Sequence, residues 1–283
     1  MNNKPLTILN GSLVAKEHEQ ILSDKISKLS TKPHLVIIQV GNNPASTKYI
    51  QYKKLFADRV GAIVTHAQYE DTITENDLVK NINSFSNDAL VHGIIVQLPL
   101  PKNIKPWIIL DAIDPKKDVD GMTSFNLRHV YENNEIILPA TTKGIFTLLS
   151  NYNISLDGKN VVVVGRSSLV GKPTALASIN RNATVTVCHS HTKDLASITK
   201  SADILIVAIG QPNLIKEEYI KENCVIVDVG ITVGEDNKVS GDVLLSSISE
   251  KADAISPVPG GVGPMTIVSL FENLLQSYEM QGK

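Results

Sequence analysis

Val161-Val-Val-Val-Gly-Arg-Ser-Ser-Leu-Val-Gly-Lys-Pro173 reads as a buried strand, a glycine turn and the start of a helix. A glycine lets the backbone approach a phosphate closely, and a helix N-terminus favours an anion. Gly165 and Gly171 bracket Arg-Ser-Ser-Leu-Val, so the usual G-x-G-x-x-G spacing is absent and a plain strand-to-helix turn stays open. The following run, Thr184-Val-Thr-Val-Cys188, leads into His189-Ser190-His191-Thr192 with no carboxylate. A site for NAD places an acid there to hold the ribose 2′-hydroxyl. Arg166 and Ser190 instead suit a 2′-phosphate, which points to NADP. The two histidines read as surface polarity at a strand end, because no metal-ligand cluster surrounds them.

Outward from that stretch, further continuous apolar runs follow the pattern of buried parallel strands: Leu35–Val40, Ile63-Val64, Gly93–Gln97, Ile204–Val207 and Val225–Val229. Helix-like segments separate them, so the expected class is α/β with parallel sheets and right-handed crossovers. An irregular region from Leu98-Pro-Leu-Pro101 to Leu138-Pro-Ala-Thr141 divides two such series. The division is expected near 140, giving domains 1–139 and 140–283. The segment 266–283 contains a helix with Ile267, Leu270, Phe271, Leu274 and Leu275 on one face, suited to packing back on the first domain.

The 283 residues suffice for two domains, and 42% apolar with 20% charged residues is an ordinary globular balance. A formal charge of −2 leaves no nucleic-acid footprint. No apolar run reaches a membrane span, and the first residues lack the apolar core of a signal peptide. Two cysteines, Cys188 and Cys224, both at the edges of strand-like runs, fit a reducing cytoplasm.

Asn43-Pro44 is a helix start, with Asn43 as N-cap. At about 100° per residue, Tyr49, Lys53, Phe56 and Val60 fall on one stripe, and Lys54 points nearly the opposite way, to solvent. Two readings of Lys53 stand. Desolvation lowers the pKa of an ammonium and suits it to proton transfer, or the side chain snorkels to water. Gln97 ends an apolar run just before prolines that cannot continue a central strand, placed to bond Lys53 or a ligand or to sit as a satisfied buried amide. Asp114-Pro-Lys-Lys-Asp-Val-Asp-Gly121 is a charged turn without EF-hand spacing. Pro257-Val-Pro-Gly-Gly-Val-Gly-Pro264 is rigid and poor in side chains, fit to offer backbone to a flat ligand or to serve as a connector.

Taken together, six motifs resemble one family over nearly the whole chain, the bifunctional methylenetetrahydrofolate dehydrogenase/methenyltetrahydrofolate cyclohydrolases. They are Tyr49-x-x-x-Lys53, Gly93-Ile-Ile-Val-Gln-Leu-Pro-Leu-Pro101, Lys117-Asp-Val-Asp-Gly121, Gly165-Arg-Ser-x-x-Val-Gly-x-Pro173, Asp228-Val-Gly-Ile231 and Pro259-Gly-Gly-Val-Gly-Pro-Met-Thr266. The resemblance implies an N-terminal α/β catalytic domain and a C-terminal Rossmann-like NADP-binding domain with a cleft between them. It implies NADP-dependent oxidation of 5,10-methylenetetrahydrofolate, then hydrolysis of the methenyl product to 10-formyltetrahydrofolate. It further implies a homodimer through the second domain and no metal. Lys53 is then the catalytic lysine and Gln97 its partner. Tyr49 acts at the same centre and stacks on the aminobenzoate, Asp120 anchors the pterin, and Asp118 is structural. Leu98, Pro259, Gly260 and Gly261 border the folate. Gly165, Arg166, Ser167, Ser190 and Ile231 match the NADP positions.

Two places depart from the family pattern. Pro139-Ala-Thr-Thr-Lys-Gly144 stands where the family has Pro-Cys-Thr-Pro-x-Gly, and Ser256 replaces a common Thr. Ala140 for Cys removes a thiol, Thr142 for Pro is expected to loosen a helix start, and neither place holds a proposed proton-transfer group. A non-catalytic NADP sensor would explain the glycine turn and Arg166, but not Lys53 on an apolar face. An enzyme retaining one of the two activities is the nearer alternative.

Overall fold

The computed structural model describes residues 5–234 and 238–282, and the chain divides into two compact units. One is built on a six-stranded sheet and contains the residues through Ala15 together with Thr141–Thr266. The other is built on a three-stranded sheet and contains Lys16–Ala140 and the residues from Ile267 onward. The expected block 1–139 therefore loses its first fifteen residues to the other unit. The cause is strand pairing: Thr7–Ile8 lies parallel to Ala252–Ser256, a strand whose alternation of alanine with polar residues hides it from an apolar-run reading.

In the three-stranded unit, His34–Val40 is central, flanked by Ile63–Tyr69 and Gly93–Val96, all parallel. The central strand is buried over six of its seven residues, and Gly93–Val96 throughout, as continuous apolar runs require. The chain leaves the central strand to one side and then returns to the other. The order of the strands thus reverses at its C-terminal end, the place where open α/β sheets bind ligands. The helix Pro44–Val60 makes the first crossover. Asn43 caps it by accepting from the Ser46 N–H at 3.1 Å, Pro44 occupies its first turn, and Gly61 ends it at φ +82°. Two short helices, Pro106–Asp111 and Ser124–Tyr131, lie in the stretch read from sequence as irregular.

The six-stranded sheet runs Thr7–Ile8, Ala252–Ser256, Cys224–Asp228, Ile204–Val207, Asn160–Val164, Thr184–Cys188, with every pair parallel. From Asn160–Val164 the chain goes first to Thr184–Cys188 and then to Ile204–Val207 on the opposite side, so this sheet also has a reversal. The Gly165 turn sits at its C-terminal end. This is a Rossmann-like, doubly wound arrangement. Ile204–Val207 and Cys224–Asp228 are buried throughout, and both cysteines are free and buried. The last helix, Val262–Met280, starts four residues earlier than its apolar pattern suggested, and its part from Ile267 on belongs to the three-stranded unit. There Leu270, Phe271, Leu274, Leu275 and Tyr278 are buried. Among the described residues, no helix is long and apolar enough to cross a membrane.

Candidate active site

The helix Pro44–Val60 turns Ser46, Ile50, Lys53, Phe56, Ala57 and Val60 inward. Lys53 is only 7% exposed, so its side chain does not escape to water. Its Nζ donates to Gln97 Oε1 at 2.9 Å. Gln97 stands one residue beyond Gly93–Val96, at the strand reversal, and its backbone N–H still pairs with Ile38 O at 2.8 Å. The orientation of its amide follows from the bonds at both ends. Nε2 donates to Leu98 O at 3.1 Å, which leaves Oε1 for the lysine. Ser46 Oγ donates to the same carbonyl at 3.2 Å, tying the Leu98 loop to the helix that carries Lys53. Ser46 went unread in the sequence, although it lies two helical turns before Lys53 and hence on its face.

Burial lowers the pKa of Lys53 to about 8, opposed by the negative charge of Asp120. Desolvation likewise pushes the Asp120 carboxyl up to about 7, against the pull of Lys53. These two groups thus lie within electrostatic reach, each near the pH where it changes charge. Asp118 serves the turn itself: its Oδ2 accepts from Thr123 N at 2.7 Å and from Asn126 Nδ2 at 2.9 Å.

Two helix-wheel expectations need correction. Tyr49 is 36% exposed and sits at the rim of the stripe, edge-on to Tyr52, while Ile50 takes the inward position. Lys54 does not stand free in solvent. It is half-buried with Nζ 3.5 Å from His66 Nδ1, because the neighbouring strand Ile63–Tyr69 continues five residues beyond the Ile63-Val64 read from sequence.

In the six-stranded unit, Gly165 has φ +124°, and a Cβ there would come within 2.3 Å of Ala208 O. A Cβ at Gly171 would meet Gly165 O at 2.2 Å. Both positions thus require glycine, and the turn keeps its backbone bare. Ser167 Oγ accepts from Val170 N at 3.2 Å and Gly171 N at 3.3 Å, bracing the turn that leads into the helix Gly171–Ile179. Arg166, Ser190 and Ile231 are exposed. His189 Nδ1 accepts from the His191 backbone N–H at 3.2 Å, and among the described residues no group of three His, Cys, Asp or Glu is placed to hold a metal. Pro259, Gly260 and Gly261 form a turn with Gly260 at φ +100° and its carbonyl accepting from Ser12 N at 3.0 Å.

The departures from the family pattern are accommodated locally. Thr142 does not loosen its helix, which runs from Ala140 to Asn151. It is fully buried, and its hydroxyl lies 2.9 Å from that of Thr174. Ser256 Oγ accepts from Asp228 N at 2.9 Å and donates to Asp228 O at 3.2 Å, joining the ends of two adjacent strands.

Comparison with known proteins agrees with this arrangement. The catalytic domain of tetrahydrofolate dehydrogenase/cyclohydrolases matches residues 9–120, and the NAD(P)-binding domain of the same family matches residues 139–282. A bifunctional protein FolD from Agathobacter rectalis is 45% identical over 273 residues, 95% of this chain and 98% of that one. The crystal structure of the bifunctional FolD enzyme from Campylobacter jejuni superposes with a TM-score of 0.95 at 40% identity, covering 97% of this chain and 99% of that chain. The Trypanosoma brucei enzyme, solved with NADP and an inhibitor, gives a TM-score of 0.94 at 32% identity over 99% of both chains. Two α/β units matched in turn by the catalytic and the NAD(P)-binding domains of one family, in that order and over nearly the whole chain, place it: the chain belongs to the bifunctional methylenetetrahydrofolate dehydrogenase/cyclohydrolase family.

Proposed function

We propose that this enzyme oxidises 5,10-methylenetetrahydrofolate with NADP and hydrolyses the resulting methenyl cation to 10-formyltetrahydrofolate, with Lys53 as the proton carrier of the second step. The observation that carries the proposal is the contact of Lys53 Nζ with Gln97 Oε1 in a buried setting that loosens the ammonium's hold on its proton. A neutral lysine takes a proton from the water that adds to the one-carbon bridge. It then returns one to the ring nitrogen that leaves as the carbon–nitrogen bond breaks, which is general acid–base work. A cation held beside Lys53 disfavours the ammonium further. Gln97 aims the amine through one neutral hydrogen bond. Asp120 presents two acceptor oxygens to the donors of the pterin ring, Tyr49 offers a half-open ring face for the aminobenzoate, and Leu98 borders the same site.

NADP supplies the hydride acceptor when bound. The residues present fit it: the Gly165–Gly171 turn closes so tightly on its own backbone that neither glycine admits a Cβ, Arg166 and Ser190 are exposed beyond the strand ends, and no acid stands in His189–Thr192 just after the strand. Ser167 shapes the turn through its bonds to Val170 N and Gly171 N, and Ile231 offers an apolar surface, 42% exposed. A homodimer is proposed on the family likeness, and the partly exposed edge strand Thr184–Cys188 of the second domain is compatible with it. Sedimentation of the purified protein tests that point.

The test of the whole reading mixes purified protein, methylenetetrahydrofolate and NADP, and follows NADPH formation and methenyl decay separately. Both signals are expected. NADPH formation with methenyl accumulating at its uncatalysed decay rate would leave a dehydrogenase only, and absence of NADPH would remove the first step.

A further inference from the structure

Asp242 is fully buried, and it follows a glycine in the short turn Gly241-Asp242-Val243 of the six-stranded unit. Its Oδ2 accepts from two successive backbone N–H groups, Ile209 at 2.7 Å and Gly210 at 3.0 Å. Those residues follow the strand Ile204–Val207, on the side of the reversal facing Gly165. The carbonyl of Ala208, just before them, is the wall that a Cβ on Gly165 would strike. The backbone of the same turn is held from the next strand. Asp228 Oδ1 accepts from Asp242 N and Gly230 N, both at 3.0 Å, and Asp228 Oδ2 accepts from Val243 N at 2.9 Å. The two carboxylates are packed so tightly that a Cβ on Gly230 would lie 2.2 Å from Asp242 Cγ, and one on Gly241 would lie 2.0 Å from Asp228 Oδ2.

A chain of contacts therefore runs from the Gly165 turn through Ala208–Gly210, Asp242 and Asp228 to Gly230, next to the exposed Ile231. Asp242 Oδ1 is buried with no hydrogen-bond partner among the described residues, an arrangement that costs stability. A carboxylate kept at such a cost fixes main chain just beyond the end of the strand Ile204–Val207, at the place where an open α/β sheet holds its ligand.

We infer that Asp242 is a positioning residue for the dinucleotide, setting the loop Ala208–Gly210 against the Gly165 turn and, with Asp228, the Gly230–Ile231 edge beside it. The inference rests on the reading that NADP occupies this unit, and hydrolysis of methenyltetrahydrofolate, which consumes no NADP, is its internal control.

The experiment measures NADP affinity by calorimetry, KM for NADP, and methenyl hydrolysis for the parent, Asp242→Ala and Asp242→Asn. Asp242→Ala strands two N–H groups and is expected to raise the NADP Kd and KM roughly tenfold or more while hydrolysis stays near the parent's. Asp242→Asn retains an oxygen for both N–H groups and is expected to recover most of the affinity. A parent that does not bind NADP sinks the cofactor reading itself. A parent that binds, with Asp242→Ala binding equally well, overturns only the inference, as does an Asn variant no better than Ala or a parallel loss of hydrolysis. If Asp242→Ala does not fold, Gly230→Ala, whose Cβ displaces the carboxylate, takes its place. NADP affinity unchanged in folded Gly230→Ala overturns the inference equally.

Discussion

Lys53 holds its proton weakly because desolvation opposes the ammonium more than Asp120 supports it. The neutral form gains as pH rises through about 8, so methenyl hydrolysis is expected to climb through that range, and the climb should vanish in Lys53→Met. That variant keeps length and apolar packing but carries no proton. Cyclohydrolase activity should fall nearly to zero, while dehydrogenase activity, which depends mainly on aligning two carbons, falls less. Lys54→Met, which gives up a contact with His66 at the long distance of 3.5 Å, should change either activity little. Equal hydrolysis by Lys53→Met and parent at equal folded concentration would make the lysine structural. On the acid side the sign reverses. Asp120 loses an acceptor as it protonates below about 7, so the KM for folate should rise as pH falls through that value. In the other unit, Arg166→Ala should weaken NADP use by about 1.5–3 kcal/mol, the scale of a charge-assisted bond, and NAD use far less. Equal losses in steady-state kinetics would show that Arg166 does not read the 2′-phosphate. Lys53 could be found by helical spacing because the apolar stripe around it is regular. Asp242 could not, because its partners are backbone N–H groups of Ile209 and Gly210, set more than thirty residues away by the sheet.

Among the elements, those buried on both faces were plain in the sequence. His34–Val40, Ile204–Val207 and Cys224–Asp228 are apolar runs for the reason that parallel strands between helices have no wet face. The edge strands Thr7–Ile8 and Ile63–Tyr69 carry mixed exposure, so their ends did not show. The helix Ser124–Tyr131 escaped because it is short and buries only Asn126 and Val130, too little for an apolar stripe; what holds it is polar, with Thr123 as its cap and Asp118 accepting from Thr123 and Asn126. The last helix shows what apolar periodicity does deliver. Phe271 is fully buried with its ring centroid 4.9 Å from that of Phe56, one turn beyond Lys53. Phe271→Ala should cost about 3–5 kcal/mol of stability in denaturant titration. A loss below 1 kcal/mol would mean that the helix contributes little to holding the Lys53 helix in place.

For the molecule as a whole, the α/β class, the two-unit division and the return of the last helix to the first unit were legible, but the crossing of the residues through Ala15 into the six-stranded unit was not. The chain changes unit after Ala15, after Ala140 and after Thr266, so neither unit is one continuous stretch. A fragment of residues 16–140 is expected to unfold without a cooperative transition, followed by circular dichroism against temperature. Joining residues 267–283 to it should restore one. A sharp transition in the shorter fragment would show that the helix is dispensable. The same interrupted path bears on how the protein is made. On the ribosome the sheet around His34–Val40 emerges early, but the helix with Leu270, Phe271 and Leu274 follows only after all of Thr141–Thr266 has been translated. At about 5–20 residues per second that interval is roughly 6–25 s. For its duration the apolar face that Leu270, Phe271 and Leu274 cover in the folded unit waits uncovered on the nascent segment that bears Lys53.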